Sequence, residues 1–427
     1  MHVLIIGAGP AGLTIAQCLR KEGISYEIFD RDLHQDARFQ GYSISVHTII
    51  QDFVTLFPND MPDFEQATSN LLPLKINAQI NVHYPNTENR LGVECEPHYA
   101  YIRVERARLR RWLLTNIDVQ WNKHAVEFHH DDHGATVKFK DGTVATGDFL
   151  IAGDGANSKI REHLLGRPNS ETLRSCPIST ISGEMELSGE AFRRQLELSH
   201  SAYNSVSDNP RFVMLHGIHY VYPDGCSGNF YWDYFEEDDT VDDPNHWLRT
   251  ATQQEKLDYV LGKVHSSFPP RLCEAIELTP VEGMVKKYHL WKDIRPENLP
   301  NGRCILVGDS AHVMAPFRGL GGFNAFTDAL NLSRGLIKLH HSGNEDDLKE
   351  VEKTVGVYNE EMMRRGQAAV DRSRAGTTDA INTAWFMRLI LKWIPWATTT
   401  FLNWGNPGNR LKLIPRLRVE LPSDSAS

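Results

Sequence analysis

An apolar run, Val3-Leu-Ile-Ile6, leads straight into Gly7-Ala-Gly9-Pro-Ala11-Gly12, after which residues 13–21 carry a helical pattern. No other stretch constrains this chain as tightly. Gly7 permits a tight turn, Gly9 lets backbone approach a pyrophosphate, and Gly12 with Ala16 lets the helix pack closely on the strand. The N–H groups at the helix start then face the phosphates. A bare Gly-x-Gly-x-x-Gly says little. Here a second strand, residues 26–30, follows after one helix length and ends in Asp30, a carboxylate placed to accept hydrogen bonds from a ribose, with Arg31 beside it. The strand, turn, helix and second strand together predict a dinucleotide-binding site.

Two distant segments narrow the choice of dinucleotide. Residues 148–161 read strand, glycine turn and helix start through Gly153-Asp154-Gly155 and Ser158 to Arg161. Residues 303–312 end in Gly308-Asp309-Ser310-Ala311-His312 and continue through Pro316 and Arg318-Gly319-Leu320-Gly321-Gly322 to Asp328. With the first turn, these segments resemble the three signatures of the single-component FAD-dependent aromatic hydroxylases, the family of para-hydroxybenzoate hydroxylase and the tetracycline-inactivating monooxygenases. The resemblance spans about residues 1–375, and its force lies in three motifs in the right order at large separations.

That resemblance implies a role for each matching position. Asp30 stands where the family usually has Glu and would bind the adenosine ribose. Arg106, at a helix start, would reach toward the flavin, and Arg38 matches a family loop arginine near the cofactor. Asp154 and Gly155 match the motif tied to the FAD pyrophosphate and to transient NADPH docking. Asp309 would hold the ribityl chain, as a buried carboxylate, and Pro316 would pass the reactive edge of the ring. Phe323 departs from the pattern, standing where Asn is common, with Asn324 next to it. Backbone N–H groups of Gly319, Gly321 and Gly322 at the following helix start would stabilise negative charge on a reduced flavin. Phe323 is then expected to shape the pocket.

Composition and charge exclude other classes. A formal net charge of -10 opposes nucleic acid binding. Six scattered cysteines without a Cys-x-x-Cys pair suit a reducing compartment and disfavour a zinc or disulfide framework. The cofactor strand begins at residue 2, so no cleavable signal peptide is expected, and the expected compartment is the cytoplasm. Residues 385–404 are apolar but broken by Arg388, Lys392 and Pro395, which disfavours a spanning helix. Packing over the substrate domain is the first reading of that segment. In-plane membrane contact, helped by Arg410, Lys412, Arg416 and Arg418, is the second.

The expected fold is α/β: a Rossmann-like FAD-binding domain interleaved with a mostly β substrate domain, plus C-terminal helices. Residues 1–72, 98–175 and 291–370 are assigned to the first, 73–97 and 176–290 to the second, and 371–427 to a helical segment with a polar tail. Expected strands include residues 74–80, 82–84, 211–215, 219–222 and 229–235, with a helix over 254–267. A hairpin is expected from 126–130 to 136–139, turned by Asp131-Asp-His-Gly134. The polar tip explains His129, His130, Asp131, Asp132 and His133 without a metal, so none is expected. Asp309, Ser310 and His312 lack the Gly-x-Ser-x-Gly elbow of a hydrolase. Aromatics alternating at Tyr220, Tyr222, Phe230, Trp232 and Tyr234 fit core packing and a substrate wall equally well.

The resemblance implies non-covalent FAD, NADPH as a transient co-substrate, and transfer of one oxygen atom to an electron-rich small molecule through a flavin C4a-hydroperoxide. The protein supplies orientation, charge stabilisation and a dry pocket. Likeness to fungal tailoring enzymes favours a bulky hydrophobic or aromatic substrate of secondary metabolism. Two alternatives stay open at this point: a FAD-dependent dehydrogenase without oxygen insertion, and a non-catalytic flavin-binding redox sensor.

Overall fold

Strand His2–Ile6 is apolar from Val3 onward because it lies between two other parallel strands, Ser25–Phe29 and Phe149–Ala152, and both faces are covered there. The structure, a computed structural model, describes residues 1–84, 90–96, 100–316, 319–393, 412–413 and 419–422, with backbone alone at 375–393 and 412–413. The chain divides into two compact units.

The first unit comprises Met1–Thr68, Arg106–Arg174 and Lys292–Arg374. Its five-stranded parallel sheet runs Cys304–Leu306, Phe149–Ala152, His2–Ile6, Ser25–Phe29, Val119–Gln120. Numbered along the chain that order is 5-4-1-2-3, the doubly wound pattern whose crevice opens where the order reverses, beside the first strand. Helix Pro10–Glu22 has proline in its first turn and buries Ala11 through Leu19. Helix Leu320–His341 packs in the same unit, and the long helix Leu348–Trp393 starts there. The expected hairpin is present as Ala125–His130 and Ala135–Phe139, and Val144–Gly147 adds a third antiparallel strand. At its tip Asp131 accepts the N–H groups of His133 and Gly134. Among the described residues no group of His, Cys, Asp or Glu is arranged to hold a metal.

The second unit comprises Ser69–Glu105, Ser175–Trp291 and Ala375–Ser427. Its seven-stranded sheet runs Ile178–Ser188, Ser227–Glu237, Arg211–Val221, Ala202–Asp208, Gln79–His83, Arg90–Glu94, Lys412–Leu413. Helices Gly189–Leu198, Gln253–Ser267 and Pro270–Glu277 cover one face, and Phe192, Val260 and Ile276 pack there on Phe212, Trp232 and Tyr234. Trp232 and Tyr234 are therefore core residues, which settles part of the ambiguity left by the aromatic alternation.

Several expectations need correction. Residues 74–78 are not strand: the Leu74 N–H closes a turn on the Leu71 carbonyl, and pairing begins only at Gln79. The segments read as 211–215 and 219–222 form one strand, Arg211–Val221, with an irregularity between Ile218 and Tyr220. Residues 69–72 and 98–105 group with the second unit because Asn70 bonds to Arg103 and Ile218. The chain after 370 is not only helix and tail: Lys412–Leu413 pairs with Arg90–Glu94, and Val419 and Leu421 are buried in the second unit's core. The side chains of 385–404 and of Arg410, Lys412, Arg416 and Arg418 lie outside the described residues, as does Arg318. No described helix is long and apolar enough to cross a membrane.

Candidate cofactor site

The three glycine-rich turns meet at the carboxyl ends of the central strands. Gly7 has φ +106°, and a Cβ there would overlap the Gly153 carbonyl; one at Gly12 would overlap the Gly7 carbonyl. A Cβ at Gly308 would press on the Ala325 methyl at 3.1 Å and make ordinary contact with Ala11 at 3.5 Å. Gly9 differs, since a Cβ there meets no protein atom within 4 Å. Protein packing does not require glycine at this position, so the requirement falls on whatever approaches the turn. The adjacent helix Pro10–Glu22 has no side-chain cap and no acidic residue in its first turn, which leaves its leading N–H groups to an anion.

Asp30 is 5% exposed and accepts the Ala8 N–H at 2.7 Å and the Asp32 N–H at 2.8 Å, one on each oxygen. Each oxygen keeps a further lone pair for a ribose hydroxyl. The buried Arg110 lies 3.7 Å from Asp30 and 3.4 Å from Asp32, and its Nε donates to the Ala8 carbonyl. Arg38 is on the surface and pairs with Asp32 at 2.8 Å, while Arg31 is exposed. Arg110 was not singled out from sequence. The signal was there, in a charge on the buried face of helix Arg106–Leu113 between Leu109 and Leu113.

The second and third motifs are tied together by Arg161. Its guanidinium, 1% exposed, donates to the carbonyls of Ala156 at 2.6 Å and Ser310 at 2.9 Å, and also binds Asn169. Ser310 in turn donates to the Ala152 carbonyl at 2.6 Å. Asp154 accepts the Lys159 N–H at 3.0 Å, while its buried Oδ1 has no partner among the described residues. Burial raises the Asp154 pKa, against hydrogen bonds from Ser158 and the Lys159 N–H. Gly155 stands beside it, open on its Cβ side. The Asp309 side chain is exposed by area, not buried as expected from sequence. Surrounding protein still raises its pKa through desolvation, opposed by His312 and Arg106. A carboxylate reached by solvent yet desolvated lines a crevice rather than a convex surface.

Asp328 braces that turn from behind. One of its oxygens accepts the Gly308 N–H at 2.8 Å and His312 Nε2 at 2.7 Å, and the other accepts Arg365 at 2.6 Å. Both His312 and Asp328 are fully buried. Burial opposes their charges, but each outweighs that for the other: the His312 pKa is raised and the Asp328 pKa lowered. Arg365 also donates to Asn324 Oδ1 at 2.7 Å, so this amide is engaged in the support and does not replace the family asparagine in the pocket.

Helix Leu320–His341 begins after Gly319 with no side-chain cap and no acid in its first turn. The Gly319 N–H donates to the Pro316 carbonyl at 2.9 Å. At Gly321 a Cβ would meet only Met314 at 3.9 Å, and at Gly322 only Ile44 at 3.4 Å. Phe323 is half-buried and stacks on His47, with ring centroids 5.4 Å apart and planes 12° from parallel. His47 was not anticipated from sequence. Arg106 donates its backbone N–H to Tyr42 and packs against Gly41.

These residues fit FAD. A cradle free of protein atoms at Gly9, two uncapped helix starts, a ribose-competent carboxylate and an orphaned buried oxygen on Asp154 form a donor and acceptor set suited to a flavin dinucleotide. They define a FAD-binding oxidoreductase. Residues 1–50 and 263–373 match the FAD binding domain family. FAD-dependent monooxygenase thnD of Trichoderma harzianum is 48% identical over 374 residues, 88% of this chain and 92% of that protein. FAD-dependent monooxygenase phnB of Penicillium herquei is 27% identical, covering 86% of this chain and 88% of that one. Among solved structures, Klebsiella pneumoniae HpxO with FAD and uric acid superposes with a TM-score of 0.68 at 21% identity, over 94% of this chain and 97% of that chain. The chain belongs to the FAD-dependent monooxygenases.

Proposed function

We propose that this enzyme uses NADPH and O2 to insert one oxygen atom into a bulky hydrophobic or aromatic small molecule of secondary metabolism. Bound FAD supplies the redox chemistry: it accepts hydride and activates oxygen. The observation that carries the reading is the uncapped start of helix Leu320–His341, next to the Asp309 turn that Arg161 and Asp328 hold from two sides. Gly321 and Gly322 present backbone N–H groups where negative charge develops, and the aligned dipoles behind them stabilise it. Asp309 accepts a hydrogen bond from a cofactor hydroxyl, and Arg106 holds positive charge near it. Asp30 orients the ribose end, and Asp154 with Gly155 contacts the pyrophosphate and receives NADPH. Arg31 and Arg38 contribute positive charge at the adenosine end. Pro316 and Phe323 keep the reacting edge dry, and the second unit carries the substrate.

The likeness to thnD and phnB, both FAD-dependent monooxygenases of fungi, supports the monooxygenase chemistry. Incubation of purified holoenzyme with NADPH, 18O2 and a fungal metabolite library, followed by mass spectrometry, tests it. Products heavier by one labelled oxygen are expected. NADPH consumption with oxidised products and no label would instead establish a dehydrogenase.

A further inference from the structure

The face of the second unit's sheet opposite helices Gly189–Leu198, Gln253–Ser267 and Pro270–Glu277 carries a carboxylate that the fold does not explain. Trp232 and Tyr234 point into the helix-covered core, so Asp233 between them points to the opposite face. Strand register places Ser182 on one side of Asp233 and Leu215, then Asn204, on the other, in a single cross-strand row of half-buried side chains. The buried rings of Tyr231 and Phe235 stand one step along the strand in either direction. Room for the Tyr231 ring is made by Gly217, where a Cβ would come within 2.6 Å of it.

Ser182 donates to Oδ1 of Asp233. Among the described residues that hydroxyl is its only hydrogen-bond partner, and no cation pairs with it. Carboxylates removed from water are ordinarily paired with a cation or several donors. Burial moves the pKa of Asp233 from 3.8 to about 6, opposed only by Ser182. A carboxylate that costs stability, half-open to solvent beside Leu215, Tyr231 and Phe235, has the character of the few placed polar groups that orient a ligand in an otherwise apolar site.

We propose that Asp233 is a substrate-binding residue: it accepts a hydrogen bond from a hydroxyl on an apolar, ring-bearing substrate lying along the Leu215 and Asn204 row, and so selects phenols and enols over their ethers. This rests on the monooxygenase reading above. Calorimetry on holoenzyme without NADPH, using 2-naphthol, 2-methoxynaphthalene and 2-naphthylmethylamine as probes, tests it. Wild type should bind the naphthol about 10-fold or more tightly than the ether, the scale of a hydrogen bond to a charged group. Asp233→Leu should abolish that preference and the isosteric Asp233→Asn should weaken it, with retained flavin absorbance and retained Trp232 emission showing that both units of each variant are folded. Ser182→Ala removes only the partner on Oδ1 and should keep the preference. Equal binding of naphthol and ether by wild type, no binding of either, or full preference in Asp233→Asn would overturn the assignment. A stronger preference for the amine would also overturn it, since Asp233 would then pair with a cation. Flavin content and NADPH-dependent oxygen uptake of wild type are measured in parallel. Their loss refutes the monooxygenase reading, whereas naphthol selectivity bears on Asp233 alone.

Discussion

At the scale of single residues, what the sequence shows and what it hides divide by locality. The turn Gly7, Gly9 and Gly12 is legible because its pattern lies within a dozen residues of chain, although the close approach of Gly7 to the Gly153 carbonyl is not. Arg110, and the bracing roles of Arg161 and Asp328 within their motifs, are not, because the partners lie up to about 150 positions away and no period links them. The structure sharpens one glycine. Since a Cβ at Gly9 meets no protein atom, Gly9→Val should leave the melting temperature of FAD-free protein within a degree or two, yet abolish retention of FAD on gel filtration. A parallel fall in stability would show that the turn itself needs glycine. A different residue effect governs pH. His216, 2% exposed and stacked on Tyr203 at 4.3 Å, has both ring nitrogens buried without partners among the described residues, and desolvation with nearby His83 lowers its pKa to about 3. His83 is lowered to about 4, chiefly by burial. In the unfolded chain both take up protons near 6.5, while the folded state refuses them until pH 3 to 4. Stability is therefore lost as pH falls below 6.5, by up to about 1.4 kcal/mol per pH unit for each histidine. His216→Phe keeps the ring stack and removes one titration, so urea denaturation at pH 7 and pH 5 should show a smaller loss than wild type. An unchanged loss would remove His216 from the account.

At the scale of elements, strands buried on both faces announce themselves, as His2–Ile6 and Phe149–Ala152 do, whereas elements with one exposed face are misread when a turn intervenes. Residues 74–78 have strand-like side chains but spend the Leu74 N–H on a turn, and Arg211–Val221 was cut in two where Gly217 yields space to Tyr231. The start of helix Leu320–His341 is held by the buried set of His312, Asp328 and Arg365, contributed by three separate elements. Asp328→Asn removes the charge that balances His312 and Arg365, and should cost on the order of 3 kcal/mol or more. Because the same carboxylate holds the Gly308 N–H, FAD affinity should fall at least about tenfold in variant that remains folded. Loss of stability with unchanged FAD affinity would make Asp328 a purely structural brace. Phe323, stacked on His47, is the complementary case. Phe323→Asn should retain FAD and its reduction by NADPH, while raising peroxide release as water enters. FAD loss instead would make the ring a support for the cofactor.

At the scale of the whole molecule, the chain passes repeatedly between two units, each with its own sheet, and the two are expected to respond to different perturbations. The residues proposed to hold FAD belong to the first unit, so excess FAD should stabilise that unit by mass action, by about 2.7 kcal/mol at a hundredfold excess over Kd. The depressed histidines, His83 and His216, belong to the second, so acidification below 6.5 weakens that one. Two optical probes separate the responses. Release of flavin fluorescence on heating reports the first unit. Trp232 is fully buried in the core of the second, and the difference between wild type and Trp232→Phe isolates its emission. Added FAD at pH 7 should raise the flavin-release midpoint more than the Trp232 midpoint, and a shift to pH 5 should lower the Trp232 midpoint more than the other. Coincident shifts of both probes under both perturbations would mean that the units unfold as one cooperative body, and that ligand and protons act on a single equilibrium.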